Sequence, residues 1–276
     1  MVSMGKRTLL CLGVGFASLN SQAEVIALDE AAMASVTGQA GISIEINDAE
    51  ITMGEILYKD EGGIAVRDIR IGGANRTNFF GNQWLPSGLQ SDKLDNVKLD
   101  IDVMADGDLV AIMKPAGGFN VVDFSLTTDD WLLMDSNFND GTKLIDSLSI
   151  EGVALDARLR VDNQSEYTFI ETTFGIDDLD IDVEFLNLRV ENMQVAGSSY
   201  IEAIGTWGPS GAGIPDIGAE VDLEIYAAGS QGLGLNLTKF QMDIVMPEIY
   251  LGDNPSIGAL YVNNVDITAQ TVIYGH

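Results

Sequence analysis

The chain has 276 residues, with 14 basic against 42 acidic side chains for a formal net charge of −28, one histidine and one cysteine. Such an acid excess repels nucleic acid and anionic membrane surfaces, so neither is expected as a partner. His276 and Cys11 alone cannot supply a Ser-His-Asp or Cys-His arrangement or the usual zinc ligands, which points away from those enzyme classes.

Residues 1–23 read as a secretory signal. Lys6 and Arg7 form the basic start, Thr8 to Leu19 an apolar run too short to span a bilayer, and Ser21-Gln22-Ala23 a cleavage site. Cleavage would remove Cys11 and leave an exported chain without disulfides, dependent on burial for its stability. Residues 24–40 then form an N-terminal helical turn and elbow. Asp29 can cap a short helix over residues 30–34, Gly38 suits a left-handed stop, and Ile42, Ile44 and Ile46 begin strict alternation. This start, LDEAAMASVTGQAGISIEI, resembles that of the FilA-type pilus-system family of exported gammaproteobacterial proteins. The resemblance implies a surface or pilus-associated structural protein and brings no catalytic residues with it.

Period-two alternation runs through the rest. Val97, Leu99, Ile101 and Val103 oppose Lys98, Asp100 and Asp102; residues 153–161 alternate likewise; and Val221, Leu223 and Ile225 oppose Glu220, Asp222 and Glu224. Strands with one apolar and one polar face belong to antiparallel sheets. Four strands slip phase by one residue: Val66/Ile69/Ile71, Ile150/Val153/Leu155, Val190/Met193/Val195 and Val262/Val265/Ile267. Such a slip predicts a β-bulge or bend.

The motifs QWLPSGL (83–89) and TWGPSGA (206–212) match, and each precedes an acidic alternating strand. The closing segments LSIEGVALDA (148–157) and LYVNNVDITA (260–269) also match. The expected fold is therefore all-β, of antiparallel sheets with bulged strands. Two tandem copies of one β unit, residues 41–161 and 162–276, would form one sandwich- or barrel-like body. No segment outside the leader is long and apolar enough for a transmembrane helix, and the sequence lacks the terminal aromatic residue and aromatic girdles of an outer-membrane barrel.

The candidate metal site is DSNFNDG, with Asp135, Asn137, Asn139 and Asp140 as oxygen ligands for calcium. Its glycine falls seventh where an EF-type loop has it sixth, and a polar hairpin accounts for the segment equally. The strand acids Asp100/Asp102 and Asp180/Asp182/Glu184 read as solvated faces, and Trp84, Trp131 and Trp207 as structural plugs or a sugar-stacking surface. The functional expectation is a non-enzymatic structural or adhesive protein. It would be exported to the cell surface, with the periplasm as alternative, and would assemble with itself or with other envelope or pilus-system proteins. No cofactor is expected unless calcium binds. The alternative is a secreted calcium- or glycan-binding β module.

Overall fold

The computed structural model describes residues 41–76, 78–81, 90–117, 121–206, 216–229 and 232–275. All belong to the compact unit Gln39–His276. The leader, the turn at 30–34, and both Pro-Ser-Gly segments with Trp84 and Trp207 lie outside the described residues.

The protein is all-β and antiparallel. The first nine strands are β1 (Ile42–Ile46), β2 (Ile51–Lys59), β3 (Gly63–Gly72), β4 (Val97–Val103), β5 (Leu109–Pro115), β6 (Val122–Thr128), β7 (Trp131–Met134), β8 (Asp140–Ile145) and β9 (Ser147–Val161). There follow β10 (Thr168–Val183), a 3₁₀ turn (Glu184–Leu186), β11 (Leu188–Ala196) and a short helix α1 (Tyr200–Thr206). The chain then runs through β12 (Ala219–Ala227), β13 (Leu233–Met246), β14 (Glu248–Leu251), β15 (Leu260–Asp266) and β16 (Ala269–Ile273).

Two ladders, β1–β4–β5 and β2–β3–β6, meet where β5 and β6 both pair with β9; β7 adds to β3 beyond β6. The later strands use the same plan with the pieces joined differently, β10 and β13 being long and β15 and β16 short. β10 pairs through its first half with β12 and through its second with β11. Both of these reach β13, β14 adds to β11, and β16 and β15 pair with β13. Each of the seven pairings among β1–β7 and β9 thus has a counterpart among β10–β16. β10, β12, β13 and β11 close into a circuit. β9 joins β10 along 14 residue pairs, from Val161↔Thr168 to Ser147↔Asp182.

Three of the four phase slips hold a residue in left-handed conformation: Asp68 (φ 49°), Asn192 (φ 58°) and Asn264 (φ 54°). Asn and Asp tolerate that region better than other side chains do. In β11 and β15 the pairing register shifts at these residues. In β3 the neighbour changes from β7 to β6 across Asp68. The fourth slip has Gly152, where the ladder to β10 shifts register. A Cβ there would stand 2.3 Å from the Gly175 carbonyl oxygen, so only glycine fits.

One buried cluster gathers Phe79 and Phe80, in the segment after β3, with Val121, Val153, Ala196, Tyr200, Ile217 and Val245. Phe79, Val121 and Val153 are almost wholly inaccessible. A second cluster lies within the β10–β13 circuit: Val195, Ala219 and Met242, flanked by Phe174, Ile176 and Phe240. At roughly 1.5–3 kcal/mol per fully buried large apolar side chain, these clusters are a main source of stability in a described chain without disulfides. The alternation is less clean than the sequence implies. In β4 the acidic face is half-buried, whereas Val103 is largely exposed. Asp100 can sit there because it pairs with Lys114 at 2.7 Å and accepts from Ser43 at 2.6 Å.

Candidate functional site

The DSNFNDG segment is the hairpin between β7 and β8, and its four candidate ligands are exposed. Asp135 Oδ1 accepts the backbone N–H groups of Asn137 (2.8 Å) and Asn139 (3.0 Å), and Oδ2 accepts the Asn139 side-chain amide at 3.0 Å. Asp140 receives a two-pronged contact from Arg67, at 2.9 and 2.8 Å. The Asn139 hydrogen bonds hold the Asp135 carboxyl below its ordinary value, and Arg67 does the same for Asp140. The two carboxylates are thus turned to different internal donors. Among the described residues, no group of three or more His, Cys, Asp or Glu could hold a metal ion.

Two other singled-out residues also take local roles. Trp131 is half-buried and donates its indole N–H to Thr128 Oγ1 at 2.8 Å. Asp180 is exposed, as the solvated-face reading expects, and its Oδ1 also accepts the N–H of the left-handed Asn192 at 2.8 Å, which ties this strand acid to a bulge.

Buried aspartates escape the sequence reading. Asp243, wholly inaccessible in β13, accepts the N–H of Asn264 (2.6 Å) on one oxygen and that of Ile201 (2.8 Å) on the other. One side chain thereby fixes both the β15 bulge and the first turn of α1. Asp123 in β6 accepts the Ala74 N–H at 2.9 Å. Asp177 in β10 accepts the Phe80 N–H (2.7 Å) and the Gln194 amide (3.0 Å), and its other oxygen pairs with Arg76. The sequence signal was available: Asp243 stands between Met242 and Ile244, and Asp123 between Val122 and Phe124.

Around Arg76 the charges are dense. Its guanidinium also meets Glu151 at 3.0 Å and Asp178 at 3.9 Å. Burial, the largest influence, would lower the Arg76 pKa, but the hydrogen bond to Glu151 and the nearby carboxylates raise it overall. Burial pushes the Asp177 carboxyl up against the pull of Arg76. Asp178 rises through burial, then through its neighbours Asp180 and Glu151. Tyr200 is pushed up to about 12 by burial and by Asp177, so at neutral pH it is a phenol donating to Gln194 (3.2 Å). Raised carboxyls can serve proton transfer. Here the two Asp177 oxygens hold the Arg76 guanidinium and the Phe80 N–H against β10, the work of a strut.

The strands left with one partner form a different kind of site. Among the described residues β8 pairs only with β7 and β14 only with β11; in two longer edges, β1 pairs only with β4, β2 only with β3, and β15 and β16 only with β13. Their side chains include exposed apolar groups: Ile42, Ile56 and Tyr58 on the first pair of strands, and Leu260, Tyr261 and Ile273 on the last. An unpaired strand edge presents a row of backbone donors and acceptors to any incoming strand. No helix among the described residues is long and apolar enough to cross a membrane.

A family model described as a family of unknown function (DUF6160) matches residues 1–105, a span that ends just after β4. No curated protein and no solved structure matches the chain.

Proposed function

We propose that this is an exported, non-enzymatic structural protein of the bacterial cell envelope or surface, acting through assembly with itself or with other envelope proteins. The observation that carries this reading is the pair of open strand edges, β1–β2 and β15–β16, with exposed isoleucine, leucine and tyrosine side chains. The leader-like residues 1–23 support export, and the resemblance of residues 28–46 to the FilA-type start supports a surface or pilus-associated setting. The buried carboxylates add support from another side, since Asp123, Asp177 and Asp243 hold backbone N–H groups in place.

Protease treatment of intact native cells, followed with an antibody to residues 24–276, tests the location. Loss of the signal is the expected result. Protection that persists until the outer membrane is opened would make the protein periplasmic and remove the surface assignment.

A further inference from the structure

The β9–β10 junction is an internal example of how one end of this fold receives the other. On one edge β9 pairs with β5 and β6, just as β16 and β15 pair with β13. On its other edge β9 takes up β10. β10 in turn stands to β12 and β11 as β1 and β2 stand to β4 and β3. The open edge of β15–β16 therefore corresponds to the edge on which β9 receives β10. The open edge of β1–β2 corresponds to the edge that β10 presents.

We infer that a second copy of this chain docks here, its β1–β2 adding antiparallel to β16–β15 of the first copy, as β10 adds to β9. The correspondence sets the register. Ile150 and Val262 are equivalent through Leu126 and Ile244, which face Ile71 and Val195. Leu179 and Met53 are equivalent through Met193 and Ile69. Because Leu179 lies opposite Ile150, Met53 of one copy lies opposite Val262 of the other.

The same step applied to Ile176 and Gly152 puts Ile51 opposite Asn264, two residues along in each strand, as an antiparallel ladder demands. Main-chain hydrogen bonds supply the affinity in this mode of recognition, and the exposed apolar side chains gain burial. The two surfaces are different, so each docked pair leaves one edge of each kind open. The contact repeats as a chain of copies unless its rotation closes a ring.

The inference deepens the assembly part of the proposed function by naming the partner, and it rests on that part alone. Purified protein tests it without reference to location. In the chain carrying Cys11→Ser, Met53→Cys and Val262→Cys are made separately and together, and folding is checked by circular dichroism. Opposed residues of an antiparallel pair lie within disulfide reach. Under mild oxidation the two single variants should form a linked dimer only when mixed, and the double variant should form a ladder of multimers. The unaltered protein, followed by sedimentation, should gain mass with concentration.

A disulfide between two Met53→Cys chains alone would mean a symmetric contact and overturn the inference. A mass that stays at one chain, with no mixed disulfide, would also overturn it, and would leave the edges to a different protein or to another segment of this chain. Surface exposure with that negative result would leave the envelope reading standing, with other partners.

Discussion

Asp243 ties three elements together through two hydrogen bonds from backbone N–H groups, and its removal has a calculable consequence. Asp243→Ala would leave two part-buried N–H groups without their acceptor, at up to about 1–3 kcal/mol each. Asp243→Asn keeps one acceptor oxygen and should cost about half as much. Thermal unfolding should therefore rank wild type above Asn above Ala, and equal melting points for the two variants would remove the strut role. The hydrogen-bonded surface acids contribute to acid sensitivity. Asp100, Asp135, Asp140 and Asp162 have carboxyl pKa values depressed below the unfolded value of about 3.9. Their contribution is present above that value and is lost as pH falls through their folded values. Asp177 and Asp178 are raised, so their ionised forms are the disfavoured ones and acid relieves them. Arg67→Gln should therefore narrow the difference in melting point between neutral pH and a pH of about 3, because Asp140 then loses its main depressing partner. An unchanged difference would show that this pair has no part in acid sensitivity. Calcium at about 1 mM should leave the melting point where it is, since linkage requires a site that binds in the folded state and both loop acids already face internal donors. A rise of several degrees would support the calcium loop.

The bulges are the element on which the ladder plan turns. Asn264 adopts φ 54°, a conformation in which a β-branched residue costs about 1–2 kcal/mol while glycine is at ease. Asn264→Val should lower the melting point clearly and Asn264→Gly hardly at all; the reverse order would mean that the side chain, and not the backbone, secures the bulge. Gly152→Ala should be the harsher change, because the new Cβ meets a backbone oxygen that cannot turn aside. These positions also show why part of the fold was legible. The slip from Val262 to Val265 exposes a bulge because side-chain period and register are the same fact on a strand. The polar–apolar alternation of 97–103 gave the strand but not its burial, since Asp100 depends on Lys114 and Ser43, both remote in sequence. Asp135 and Asp140 read as co-ligands because spacing alone does not reveal that Arg67 claims one of them. The open edges were not legible at all: an edge is defined by the strand that is missing, and alternation looks the same on either side of a ladder.

At the scale of the whole molecule, charge and strand edges oppose each other. A net charge of −28 makes any two copies repel, and the repulsion acts over about 30 Å at 10 mM salt but about 10 Å at 0.1 M. The proposed contact draws on main-chain hydrogen bonds and exposed Ile42, Ile56, Leu260 and Ile273, neither of which salt weakens appreciably. On the proposed contact, negative charge would work as a governor, holding dilute copies apart at low ionic strength and permitting edge pairing when the repulsion is screened. Sedimentation at fixed protein concentration should show association strengthening as salt rises from about 10 mM to about 0.3 M. A contact built from cross-copy ion pairs would respond in the opposite sense, because salt screens attraction as readily as repulsion. Weakening with salt would accordingly assign any self-association to the charged faces of the strands and take it away from their edges.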